Sequence, residues 1–128
     1  MSERETFELG PTTVRVLAAT EAATLLELVL EPGAGAGYHT HTREDETIAV
    51  LEGTLTVDDG ERHELAPGDA IVLPRGTRHA FLAGGDGPAR AHVFCSPGGL
   101  EEFFRAVAAA TGDDEAAAAA ERAGLAFG

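Results

Sequence analysis

The sequence predicts one all-β domain, an antiparallel barrel or sandwich, followed by a short helical tail. Three observations lead there. Between Thr12 and Cys95, short β-like runs alternate with Gly, Pro and Asp punctuation at the spacing of antiparallel strands. After Ser96-Pro97-Gly98-Gly99 the apolar period changes to that of a helix. A chain of 128 residues and 13.2 kDa supports one hydrophobic core rather than two.

The runs fall at 12–18, 22–31, 38–42, 46–51, 54–57, 61–65, 70–73, 78–83 and 89–95. In the second, Leu26, Leu28 and Leu30 project to one side while Glu27 and Glu31 project to the other, the pattern of a strand with one buried face. Asp58-Asp59-Gly60 separates the fifth run from the sixth. Asp-Gly tolerates the positive φ of a tight turn, so 54–57 and 61–65 are expected to pair as a hairpin. Leu100, Phe103, Phe104 and Val107 then recur at helical spacing, giving an amphipathic helix expected to dock on the barrel. A second helix starts at Asp113 or Asp114, whose carboxylates suit an N-terminus, and stops at Gly124. Its alanine run is high-propensity filler and is assigned no function. No internal repeat or linker divides the chain.

Composition excludes several functions. Asp and Glu outnumber Lys and Arg 22 to 9, for a net charge of −13, which repels nucleic-acid backbones and anionic lipid. All the basic residues are Arg, so lysine Schiff-base and P-loop chemistry are absent. Serine occurs only at Ser2 and Ser96 and cysteine only at Cys95, leaving little room for a nucleophile and none for a disulfide within the chain. The polar start, Met1 to Glu5, lacks the pattern of a secretory signal, and a cytoplasmic location is expected. A small-molecule or protein partner is what these exclusions leave.

The chemistry gathers at four residues. His39 and His41 lie two apart on a β-like run, so their imidazoles share a face. Glu46 opens the next run, and His79 begins a later one. Neutral imidazoles with one carboxylate suit a divalent Fe, Mn, Co, Ni or Zn ion, and one carboxylate against it leaves a net positive site that favours an anionic oxygen ligand. Glu44 and Asp45 compete with Glu46 for the carboxylate position and are otherwise a solvated turn. Ile48, Val50 and Phe81, with Val57 a further candidate, share the phase of the ligands and are expected to line an apolar pocket. Tyr38 should point away, toward packing or a dimer contact. His63 and His92 are undecided between the cavity and a structural role, and Cys95 reads as a small buried hydrophobe. Arg75 and Arg78 flank the His79 turn, where ion pairing is the simpler role and an anionic substrate at the barrel mouth the other.

The spacing of these residues resembles the two signatures of the cupin superfamily. Gly33, His39, His41, Glu46 and Gly53 stand at the intervals of the first, and Gly68, Pro74, Gly76 and His79 at those of the second. The Asn that usually closes the second is Ala83 here. From about residue 22 onward the chain is similar to small single-domain cupins of the quercetin 2,3-dioxygenase-like group, including Ser96-Pro97-Gly98-Gly99 and the tail through Phe127. The resemblance implies a double-stranded β-helix, or jelly-roll, over about 12–96 with helices over about 99–124. It implies His39, His41, Glu46 and His79 as ligands of one metal ion. It also implies a homodimer, since an open barrel has edge strands to cover. The leading expectation is an oxygenase of phenolic or enolic aromatic compounds, with Glu46 both ligand and catalytic base. The alternatives are a non-redox cyclase, isomerase or lyase of a polyketide-like or keto-acid substrate, and a non-catalytic binding module.

Overall fold

The computed structural model describes residues 5–128; the polar start at residues 1–4, used above for location, lies outside them. The elements run β1 (Thr6–Leu9), β2 (Thr12–Ala19), β3 (Thr24–Leu30), β4 (Gly35–His41), β5 (Asp45–Glu52), β6 (Leu55–Asp58), β7 (Arg62–Leu65), β8 (Ala70–Leu73), β9 (Arg78–Ala83), β10 (Ala89–Ser96), α1 (Leu100–Ala109), α2 (Asp113–Arg122) and β11 (Leu125–Phe127). They form a six-stranded sheet in the order β1-β2-β3-β10-β5-β8 and a five-stranded sheet in the order β11-β4-β9-β6-β7. The core lies between the sheets, where Leu26, Leu30, Ile48, Leu55 and Leu73 are almost wholly enclosed. Inward residues alternate with outward ones along each strand, as expected for two antiparallel sheets packed face to face.

The expected hairpin forms, with Leu55 opposite Leu65 and Asp58 opposite Arg62, and Gly60 takes the turn at φ 108°. The four motif glycines Gly33, Gly53, Gly68 and Gly76 all have positive φ, between 73° and 95°, which explains why those corners need glycine. Where the usual Asn is replaced, Ala83 is buried and works through its backbone: its N–H donates to Ala34 O at 2.7 Å and its carbonyl accepts from Gly33 N at 3.2 Å.

Three elements differ from the sequence expectation. Thr6–Leu9 forms an edge strand that pairs with β2 ahead of the run expected to open the barrel. β4 begins at Gly35, earlier than expected, because Gly35-Ala36-Gly37 is strand rather than turn. A side chain at Gly35 would collide with the Phe81 carbonyl on β9, so glycine here serves close strand approach. At the chain's end, Leu125, Ala126 and Phe127 pair with His41, Thr40 and His39, returning the polypeptide to the edge of β4. α1 packs against β1, β2 and β3, with Leu100 buried and Phe103 and Phe104 against the core, and α2 packs against α1 and β11. Its Glu101 accepts from Thr24 Oγ1 at 2.6 Å and Gly99 N at 3.1 Å, and Arg105 pairs with Glu5 at 2.7 Å, tying helix to sheet. No described helix is long and apolar enough to cross a membrane.

Candidate metal centre and its cavity

Two sheets build the polar centre. His39 and His41 come from β4 and His79 from the adjacent β9, where His39 and His79 are directly opposite. A register shift between Ala36 and His39 adds a residue to β4, so that Ala36 and His39 both face inward although they are three apart. Glu46 reaches the same point from β5, across the interior. All four are buried, with His79 1% and Glu46 5% exposed.

The hydrogen bonds fix which nitrogen of two rings faces the centre. A backbone carbonyl can only accept, so His39 Nδ1 donates to Gly37 O at 2.7 Å and His79 Nδ1 donates to Thr77 O at 2.9 Å. Nε2 of each is left with a free lone pair. One nitrogen from each of the three imidazoles lies within 4.8 Å of the others. Glu46 stands against two of them, Oε2 at 3.4 Å from His41 Nε2 and Oε1 at 3.0 Å from His79 Nε2. Despite that distance, Glu46 Oε1 and His79 Nε2 are misaligned for a bond to each other, and both are buried without a hydrogen-bond partner. Orphaned buried donors and acceptors are costly, about 1–3 kcal/mol each, and a divalent ion would satisfy several at once. Three buried histidines with converging nitrogens can bind a metal, and two of their tautomers are already set for it.

The local electrostatics of His39 and Glu46 agree with ligand chemistry, whereas Glu46 favours a proton on His79 that a metal ion would displace. Burial lowers the His39 pKa despite the Gly37 carbonyl, favouring the neutral imidazole. Burial opposes the charge on Glu46, yet His79, His41 and His39 together hold its carboxyl below the ordinary value, so it stays ionised. Burial likewise opposes protonation of His79, but the Glu46 carboxylate more than offsets it and raises the pKa. Cys95 places Sγ 3.8 Å from Glu46 Oε2, and burial next to two carboxylates pushes its thiol far above the usual range. It therefore remains a protonated, weak donor rather than a thiolate.

From this centre a cavity of about 230 Å³ opens outward. Its inner end carries His39, His41 and Glu46; Phe81, Leu26, Leu28 and Val93 line the middle. The outer wall is Leu9 and Val14 from the first two strands, Phe103 and Phe104 from α1, and Leu125 and Phe127 from β11. Apart from Thr12, the wall beyond the centre has no polar side chain. Phe81 lies on the cavity wall. Ile48, Val50 and Val57 do not: at 1%, 2% and 0% exposure they pack in the core.

The other candidates lie elsewhere. His63 is half-buried against Asp59 Oδ1 at 2.9 Å, and His92 faces Glu27 on the outer side of its sheet at 3.8 Å. Arg75 pairs with Asp45 at 3.2 Å, and Arg78 stacks over the Tyr38 ring at 3.8 Å, so neither lines the cavity. Asp45 is exposed, as a turn residue should be, but Glu44 is not: it is only 4% exposed, contrary to the expectation of a solvated turn. Glu44 and Glu46 are two apart, so the strand period carried one step back from Glu46 turns Glu44 inward as well.

Known proteins resemble this chain in sequence and fold. The polyketide synthase CurC of Streptomyces cyaneus is 36% identical over 70 residues, covering 54% of this chain and 46% of that protein. The chain spans under half the length of the curated relatives it matches. Among solved structures, KdgF from Halomonas sp. superposes with a TM-score of 0.71 at 25% identity, covering 76% of this chain and 89% of that one. The polyketide cyclase RemF from Streptomyces resistomycificus superposes at 0.64 with 28% identity, covering 73% and 74%. Residues 26–95, more than half of the chain and including all four residues of the polar centre, match the Cupin domain family, and the chain belongs to it.

Proposed function

We propose that this cupin is a metal-dependent enzyme that closes or dehydrates rings on an enolisable, largely apolar aromatic substrate of the polyketide type, without oxidation. The observation that carries this reading is the one-ended polarity of the cavity, with a carboxylate and imidazoles at its inner end and aliphatic and aromatic side chains along the rest. Such a site orients a molecule whose reactive oxygens lie at one end and whose rings fill the other. The likeness to a polyketide cyclase and to a polyketide synthase component supports the same substrate class.

His39, His41, His79 and Glu46 would hold one divalent ion, which supplies Lewis-acid polarisation of a substrate oxygen. The chain's own residues do the rest. Glu46, ionised and buried, is placed to take a proton from carbon next to a carbonyl. The resulting enolate carbon forms a bond to a second carbonyl carbon of the same molecule, and that carbonyl's oxygen takes a proton. Loss of water then makes the ring aromatic. No oxidant is consumed and the proton taken by Glu46 is returned. Phe81, Phe103 and Phe104 fold the chain of the substrate and exclude bulk water during these steps.

The reading separates from an oxygenase by one experiment. Metal-loaded protein is given linear aryl β-polyketones in air and under strict anaerobiosis. Ring closure at equal rates in both is the expected result. Oxygen uptake in step with turnover would replace it with the oxygenase reading, and no product in either would leave a binding module. The reading includes a homodimer through the outer face of the six-stranded sheet, where Phe94 and Val72 flank Thr47 in register and are 45% and 63% exposed. Light scattering at the monomer mass of 13.2 kDa would remove that part.

A further inference from the structure

We infer that Glu44 is a positioning residue of the metal centre, holding the His41 ring through its outer nitrogen; this rests on the reading of His41 as a ligand. Two of the three imidazoles are oriented by backbone carbonyls two residues earlier, at Gly37 and Thr77. His41 has no such partner. Its Nδ1 is fully buried and unpaired, and so is Glu44 Oε1. These two orphans face each other at 3.7 Å, across the turn from β4 to β5. That is beyond a hydrogen bond, and a small rotation of either side chain closes it.

The turn is built to turn Glu44 inward. Asp45 is drawn to the surface by Arg75, accepting its backbone N–H at 2.9 Å and its guanidinium at 3.2 Å. Thr42 is fixed to Gly124 O through both its N–H, at 2.9 Å, and its hydroxyl, at 2.6 Å. Between these anchors Glu44 is buried at 4% exposure, and among the described residues no arginine forms an ion pair with it, the Arg75 charge acting only through space. A buried carboxylate oxygen without a hydrogen-bond donor is costly. Its placement is explained if His41 is the donor it accepts from, with Nδ1 protonated and Nε2 turned toward Glu46, 3.4 Å away. A carboxylate behind a ligating histidine fixes the tautomer, orients the ring and makes Nε2 more basic.

The test measures metal binding and ring protons rather than turnover. Wild type, Glu44→Gln, Glu44→Ala and His41→Ala are titrated with Zn²⁺ against a chromophoric chelator, and the histidine Nδ1–H signals of the Zn²⁺-loaded proteins are recorded by NMR. Wild type should show three exchange-protected Nδ1–H signals, those of His39, His41 and His79. Glu44→Ala should keep the first and last, lose that of His41 and bind Zn²⁺ about 10- to 100-fold more weakly. Glu44→Gln, whose amide oxygen still accepts, should keep the His41 signal at a shifted position and recover most of the affinity. That pattern is one a general packing defect does not produce. An unchanged His41 signal and affinity in Glu44→Gln and Glu44→Ala overturns the inference, as does a Glu44→Gln variant no better than Glu44→Ala. If Glu44→Ala does not fold, the His41 shift in Glu44→Gln decides alone. Wild type that binds no Zn²⁺, or binds as His41→Ala does, fails one step earlier, at the metal centre itself.

Discussion

The two ends of the cavity are made by different parts of the chain. The inner end, with His39, His41, Glu46 and His79, comes from β4, β5 and β9, all inside residues 26–95 that match the Cupin domain family. The outer wall comes from β1, β2, α1 and β11, all outside it. One part is polar and built wholly on strands; the other is apolar and adds a packed helix to short edge strands. On the proposed reading, the difference divides the site's properties between them: reactivity would reside in the strands of the inner end, and the choice of substrate in the segments that form the outer wall.

The strongest way to break the comparison is to remove a ligand and see whether only the inner end fails. His79→Ala and His39→Ala should each abolish stoichiometric metal in elemental analysis of purified protein, while circular dichroism keeps the strand spectrum. The folded barrel should survive because the cluster lies beside the core, and Ile48, Leu55 and Leu73 do not depend on it. Loss of fold with loss of metal would mean that the ion is structural, and the division between the two ends would fail. Glu46→Gln comes next. The amide keeps a coordinating oxygen and loses the base, so turnover should drop by about 10²–10⁴-fold with metal content nearly retained. Equal loss of both would assign Glu46 to coordination only.

The two ends also differed in how far the sequence revealed them. The polar end was legible because its geometry is local: two histidines on a period of two, and glycines at corners that need positive φ. The barrel itself followed from alternation, as in Leu26, Leu28 and Leu30. The outer wall was much less legible. β11 is three residues long and carries no period; it is a strand only because β4 offers it an unpaired edge at His39 to His41. β1 is only four residues long, and Gly10-Pro11 conceals its pairing with β2. The period of β5 puts Ile48 and Val50 on its inward face but says nothing of depth, which the packing of the two sheets decides. Glu44 was misread for another reason. A charged residue in a turn is usually solvated, and that expectation overrode the strand period that carries it inward.

The outer wall predicts effects of a different kind. Phe103→Ala and Phe104→Ala each open space in the aromatic pair whose rings meet edge to face at 5.3 Å. Both side chains pack on the core, so each truncation should lower stability by about 2–4 kcal/mol, read from denaturant midpoints. The kinetic effect should fall on KM more than on kcat, with metal content unchanged. A kcat loss at constant KM in either variant would place α1 in the chemistry and blur the two ends.

Phe127 offers the smallest and most selective change. Its ring lies 6.2 Å from that of His39 and lines the cavity, yet the residue is 66% exposed. A side chain this open contributes little to folding, so Phe127→Ala should shift stability by no more than about 0.5 kcal/mol. On the proposed reading a substrate would cover its apolar face, and removing that contact should weaken binding of an aryl substrate by about 10-fold, the worth of a partly covered aromatic contact. A shorter, non-aryl polyketone that does not reach the outer wall should bind equally well to variant and wild type. The pairing of those two substrates is what makes the test sharp, because a general disturbance of β11 would reach His39 and His41 through their register with Phe127 and Leu125 and weaken both alike.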